Sequence, residues 1–285
     1  MKKRSLIGGK KKANRSGDGL IPVLILLVGL VVLTYPTISN WWNSMHSSQT
    51  IASYVASVDS ISDNEKKVLI DKAKDYNLAL FEKRNVFAMT DEDIAEYESL
   101  LDVTGTGIMG HVQISSLGID LPIYHGTNEA VLQEAIGHIE WTSLPVGGKN
   151  AHCVISGHRG LPRAKLFSDI DRLEIGDIFT LNILGDTLTY MVDQKKVVLP
   201  DETDDLMIVE GMDLCTLVTC TPYGINTHRL LIRGYRIDNI PLKNELTLGA
   251  TKKSNLLVFS VVFIPIMFLF LSIWLIKDFF VTSDR

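Results

Sequence analysis

The stretch Thr216–Arg236, TLVTCTPYGINTHRLLIRGYR, places a cysteine, a histidine and an arginine within ten positions at the edge of an expected β-hairpin. In the run DLCTLVTC, the residues Leu214, Thr216, Val218 and Cys220 share one face of a strand, because side chains alternate across it. Pro222, Gly224 and Asn226 supply turn chemistry, and a loop of about six or seven residues returns Arg229 to the side of Cys220. A guanidinium there favours the thiolate, which a free thiol with a pKa of about 8.5 forms sparingly at neutral pH. Its donor fork also suits a developing oxyanion. A small apolar side chain closing a buried strand accounts for the same cysteine. The residues alone leave both readings open.

A nucleophilic cysteine needs a proton shuttle. His158, in VISGHRGLP, stands just past an apolar strand on a glycine-flanked loop. His228 competes, although it adjoins Arg229 in a strand and should point to the other face, and the residues alone do not choose between the two.

Working outward, the chain has 285 residues, a formal net charge of -5 and 46% hydrophobic residues. This charge does not suggest a nucleic-acid partner. Much of the apolar content sits in two runs. LIPVLILLVGLVVLTY follows a segment in which seven of the first fifteen residues are Lys or Arg. No small-residue cleavage site follows it, so a retained signal anchor over 20–36 is preferred to a cleaved signal peptide. LLVFSVVFIPIMFLFLSIWLI, residues 256–276, is uncharged and long enough to cross a bilayer core despite Pro265. The basic N-terminus (1–19) is expected in the cytoplasm, with the tail 277–285 on the same side. Lys252 and Lys253 argue weakly against that orientation. The region between the spans is then extracytoplasmic.

Three cysteines, Cys153, Cys215 and Cys220, fall in that region, so at least one thiol is unpaired. Cys215 and Cys220 are five apart on one strand and face oppositely, which disfavours a disulfide between them. Cys153 and Cys215 are expected as buried strand thiols. With no C-x-x-C, H-x-x-x-H or phosphate-loop pattern, neither metal nor cofactor is expected.

Residues 43–106 are expected to be mainly helical. Apolar positions from Ile51 to Ile61 and from Val68 to Leu80 recur at helical spacing, with Ser62-Asp63-Asn64 offering a cap between them. From Gly107 short alternating apolar runs are broken by Gly and Pro, with a hairpin turn at Leu184–Asp186. Many short strands with brief helical interruptions, as at Asn128–Ala135, suggest a closed β-barrel over 107–238. A polar linker, 239–255, leads to the second span.

TLVTC with Arg229 nine residues on, and SGHRG upstream, resembles the sortase signature. MGHVQI, LPIYHGT, GHIEWTSLPVGGKNAHCVISGHRGLPRAKLF and TLVTCTPYGINTHRLLIRGYRI narrow the resemblance to class C, the pilus-assembling sortases of Gram-positive bacteria. It runs from about Gly107 to Ile237, more weakly through the helices before it. The resemblance implies a mainly β fold: an eight-stranded barrel with N-terminal helices, short inserted helices and two flanking transmembrane helices. It implies Cys220 as nucleophile, His158 as general acid and base, and Arg229 as substrate and oxyanion stabiliser. The substrate would be an LPXTG-like sorting signal cleaved between Thr and Gly, and the partner a pilin subunit whose lysine accepts the acyl group. No sequence feature sets an oligomeric state.

Other residues carry weaker expectations. Thr219, Tyr223 and Asn226 are candidates for substrate contact, although packing and turn formation explain them equally well. His125 is expected to be structural, Arg159 a solvated loop charge in preference to a cleft contact, and Trp141 either a cleft wall or core. Class C sortases commonly carry an Asp-Pro-aromatic lid before the barrel. Here no proline occurs between Pro36 and Pro122, so an open, lidless cleft is expected, in preference to a degenerate plug built from Phe87 with Asp91 or Asp93.

Overall fold

The computed structural model describes residues 20–83 and 89–239, together with Met267 and Phe270. Apart from Asn239 and those last two positions, the linker, the second apolar run and the tail lie outside the described residues.

Helix α1, Leu20–Ser60, is one 41-residue helix that passes through Pro36. The expected anchor and the first helix of the following region are thus a single element. Nothing in Thr37–Trp42 breaks it, and within the helix no Asp, Glu, Lys or Arg occurs before Asp59. Its first half is exposed on all sides, from Leu24 to Leu33. Its second half buries Ser47, Ile51, Tyr54 and Val58, the i, i+4, i+7, i+11 stripe of a helix lying on a surface. Helix α2, Asp63–Glu82, starts at a capping box between Ser62 and Glu65. Helix α3, Asp91–Ser99, starts at a second one between Thr90 and Asp93.

Eight strands follow: β1 Ile108–Ile114, β2 Ile119–His125, β3 Ile136–His138, β4 Ala151–Ser156, β5 Ile178–Ile183, β6 Asp186–Val198, β7 Asp213–Thr221 and β8 His228–Ile237. Helix α4, Glu129–Leu132, links β2 to β3 and is capped by Asn128. The strands close into a barrel in the order β1-β2-β3-β4-β7-β8-β6-β5. Two of the pairings are parallel, β2 with β3 and β4 with β7. The β5–β6 hairpin turns at Leu184-Gly185, both at positive φ (49° and 91°), as the twist of a tight hairpin requires.

Alternation divides β7 between two apolar environments. Cys215 and Leu217 point into the barrel with Cys153, Ile155, Leu230 and Ile232. Val218 points outward with Val154, Val198, Leu206 and Leu231, beneath the β6–β7 connection. The central wall is therefore covered on both faces.

Buried side chains bind the helices to the barrel. Tyr54 donates its hydroxyl proton to Met109 O (2.7 Å) and accepts from Leu184 N (2.9 Å). The Asn77 amide bonds both Leu144 O (3.0 Å) and Leu144 N (2.7 Å), acting as a short piece of strand.

His152 lies under the β6–β7 connection. One ring nitrogen is 2.8 Å from Met207 O and the other 2.7 Å from Thr216 Oγ1. A neutral ring satisfies both by donating to the carbonyl and accepting from the hydroxyl. Burial pushes its pKa down to about 4. The unfolded residue, with a pKa of about 6.5, takes up a proton that the folded one refuses, so its contribution is full above pH 6.5 and declines as pH falls toward 4. The loss by pH 4 is about 3 kcal/mol on this account. Urea unfolding at pH 7 and pH 4.5 is expected to show a clear loss of stability, with a shallower dependence in His152→Gln. Parallel pH profiles for the two proteins would refute this assignment.

Candidate active site

Residues distant in the sequence converge where β4 and β7 end side by side. Their last paired residues are Ser156 and Val218, and the parallel register carried two residues further sets His158 beside Cys220. Two bonds fix this continuation. Gly157 N donates to Val218 O (3.0 Å), and Thr219 Oγ1 donates to Gly157 O (2.7 Å). On the other side of β7, Cys220 is paired directly with Arg229 of β8. Residues opposite one another in an antiparallel pair share a face, with Cβ atoms about 5 Å apart. Thr221 and His228 form the next pair, on the other face. Cys220, His158 and Arg229 are all half-buried.

The loop after β4 is held from several directions. A Cβ on Gly157 would stand 2.7 Å from Ile136 Cγ2 and 2.8 Å from the Phe167 ring, so only glycine fits. Phe167 N donates to His158 O (3.2 Å), and Gly160 N donates to Ser168 Oγ (3.1 Å). Leu166 adopts φ 36°, a costly conformation for a leucine, and it is buried together with Phe167. His158 Nε2 lies 3.9 Å from Glu129 Oε2 of α4.

Arg159 corrects the expectation of a solvated charge. Its side chain is 10% exposed and paired with Asp171, and it lies 5.8 Å from the Tyr223 ring centroid. Its Nη1 is 3.5 Å from Thr221 Oγ1, a marginal contact, and its Nε is buried without a partner among the described residues. The side chain thus spans from the His158 loop to the turn after Cys220. Neither this strut nor Glu129 was marked as a site residue by sequence reasoning. Glu129 had no local signal, whereas the adjacency of Arg159 to His158 was the available clue.

The remaining candidates separate by depth. Thr219 is 1% exposed, and its hydroxyl is used by Gly157. Tyr223 is 63% exposed on the turn rim, and exposed Asn226 holds a left-handed φ of 62°. The Arg229 guanidinium donates to Asn226 O (3.3 Å) and His228 O (3.1 Å). Trp141 packs against the outer apolar cluster. His125 is buried, its ring nitrogens 2.9 Å from Gly107 O and 2.8 Å from Leu100 O. Cys153 and Cys215 are buried and free, and Cys220 is the third free thiol.

The sortase domain profile matches residues 112–237. Solved structures similar over about two thirds of this chain include three sortases of type C. Sortase C1 from Streptococcus agalactiae is 48% identical, covering 67% of this chain and 100% of that one, with a TM-score of 0.66. Clostridium perfringens sortase C, solved with the C-terminal cell wall sorting motif, is 44% identical (67% and 100% covered; TM-score 0.59). Streptococcus pneumoniae sortase C, whose structure was described as informing catalysis and pilin substrate specificity, is 39% identical (68% and 100%; TM-score 0.62). The chain belongs to the sortase family, a family of cysteine transpeptidases. Within it, the chain groups with the class C sortases.

Removing the strut with Arg159→Met is expected to lower kcat/KM about tenfold, because two loops lose a common tie while the barrel is untouched. Gly157→Ala should be more severe, since the added methyl displaces the His158 loop from Ile136 and Phe167. Steady-state kinetics beside thermal unfolding checks both, and unchanged kcat/KM in Arg159→Met would refute the strut.

Proposed function

We propose that this chain is a membrane-anchored sortase that polymerises pilins. The observation that carries the reading is the meeting of Cys220, its cross-strand partner Arg229 and the adjacent His158 at one end of the barrel. Cys220 Sγ attacks the threonine carbonyl of an LPXTG-like sorting signal. The Thr–Gly C–N bond breaks, and His158 protonates the departing glycine amine. A thioester to the threonine remains. A lysine amine of the next pilin attacks it, gives its proton to His158 and expels the thiolate, leaving an isopeptide bond. Arg229 orients the signal and holds the oxyanion. Exposed Tyr223 and Ile225, with Leu199 next to the Val198–Arg229 pair, give the surrounding loops the apolar surface such a peptide needs.

The all-round apolar exposure of α1 from Leu24 to Leu33 supports the anchor. Its basic N-terminal flank favours a barrel outside the cytoplasm, and the run 256–276 would return the chain to the inner side. An unlatched cleft fits the use of Asp93 elsewhere. Its carboxylate accepts from Thr90 N (2.9 Å) and pairs with Lys83 (3.1 Å), and bonds from Thr90 lead the effects holding its pKa to about 2. Residues 84–88, including Phe87, lie outside the described residues.

Mixing the full chain with pilin bearing a sorting signal should give a detergent-stable ladder with Thr-to-Lys isopeptide bonds. Cys220→Ala should abolish it, and Arg229→Lys should slow it on the order of a hundredfold, since an ammonium lacks the planar fork. Transfer only to a cell-wall amine would replace polymerisation with anchoring. Amine-independent cleavage would make the enzyme a hydrolase.

A further inference from the structure

The loop that carries His158 also reaches α1, and it does so close to the end of the helix's fully exposed apolar half. Ser39 Oγ donates to Arg163 O (3.2 Å), and Lys165 N donates to Asn40 Oδ1 (2.9 Å). At about 1.5 Å per residue, Asn40 stands about 8 Å along the helix from Tyr35 and about 10 Å from Leu33. Those distances fall in the headgroup layer or at its outer edge when the apolar half fills the hydrocarbon. Tyr35 (52% exposed) and Trp42 (61% exposed) flank that level on either side, in the interfacial zone where amphipathic rings collect in membrane proteins.

Two cations stand there. Arg163 is exposed; its guanidinium donates to Gln133 Oε1 and has no carboxylate partner among the described residues. Lys165 Nζ is 3.5 Å from Asp169 Oδ2, an exposed contact of little strength that leaves donors free. Arg163 also lies at the near-membrane end of a groove of about 630 Å³ between α1 and the barrel, lined on the helix side from Ser39 to Thr50. Acidic groups on the same side are Glu134 and Glu129 of the α4 region, the latter turned toward His158. In a protein of net charge -5, a cationic loop beside the anchor is suited to an anionic surface.

We propose that Arg163 and Lys165 bind the phosphate headgroups of anionic phospholipid in the anchoring membrane, with one headgroup seated at the Ser39 end of the groove. The contact rests on the reading of α1 as a membrane anchor. It seats the His158 loop on the bilayer, so the cleft works at the level where a membrane-held substrate presents its C-terminal signal. Long basic side chains extend to that layer while their stems stay on the protein.

The test uses the full chain in nanodiscs of phosphatidylcholine alone or enriched in phosphatidylglycerol, with hydrogen exchange followed in the peptide Leu161–Phe167. Exchange is expected to slow about threefold or more in the anionic discs, to return toward the neutral-disc rate at high salt, and to lose its lipid dependence in Arg163→Gln/Lys165→Gln. The double variant should enter discs and melt like the parent, because both side chains are on the surface. Equal exchange in the two lipids would overturn the contact while leaving the anchor intact. Equal slowing by inorganic phosphate in detergent would also overturn it, showing a free-phosphate site. Failure of the chain to enter either disc would overturn the anchor and this contact together.

Discussion

The site depends on the parallel pairing of β4 with β7. A parallel pair cannot be closed by a tight turn, and here 56 residues separate Ser156 from Asp213 and return through β5 and β6. Its benefit is directional. Two parallel strands end at the same edge, so the residue following one and the residue ending the other meet without a designed contact between them. Gly157 and Thr219 convert that adjacency into a fixed geometry, one through its missing Cβ and the other through a hydroxyl bonded to the neighbouring carbonyl. Antiparallel β8 then delivers Arg229 from the opposite side. Each partner of Cys220 thus comes from a different type of strand pairing.

Burial on both faces of β7 makes that edge stiff. Inward residues pack in the barrel and outward ones pack beneath the β6–β7 connection, leaving Cys220 half-buried where the second cover ends. Polar groups inside this wall are paired instead of being left to water. His152 and Thr216 satisfy one another across the same two strands, outside the barrel. Desolvation makes such pairs costly to break, so they resist shear between β4 and β7.

Much of this was legible in the sequence because it is local. Alternation in DLCTLVTC and HRLLIRGYRI, the turn residues between them, the Leu184-Gly185 hairpin and the Ser62 cap each follow from a few neighbouring residues, and the structure has them. The pairing of Cys220 with Arg229 follows from loop length alone, since Thr221 and His228 close a six-residue connection. What was not legible is non-local. The continuity of α1 was missed because a change from apolar to polar composition was taken for a boundary, although backbone hydrogen bonding is indifferent to it. Arg159 was misjudged because loops are usually solvated, whereas this one is folded back over Phe167 and against Asp171. The partners Glu129 and Asp171 belong to other segments, and no spacing rule joins them to His158 or Arg159.

The helix and the site are mechanically related through these non-local ties. Tyr54 bonds β1 and the β5–β6 turn at once, fixing α1 along one side of the barrel. Ser39 and Asn40 bond the His158 loop at the other end of the same helical face. A rigid helix held at two levels cannot rotate about its axis without breaking one set of bonds. The orientation of the His158 loop relative to α1 is therefore set by the fold, not by a flexible stalk. The polar, serine-rich half of α1 has a physical reason on this view: it stays helical while offering short side chains that let the barrel and its loop approach closely.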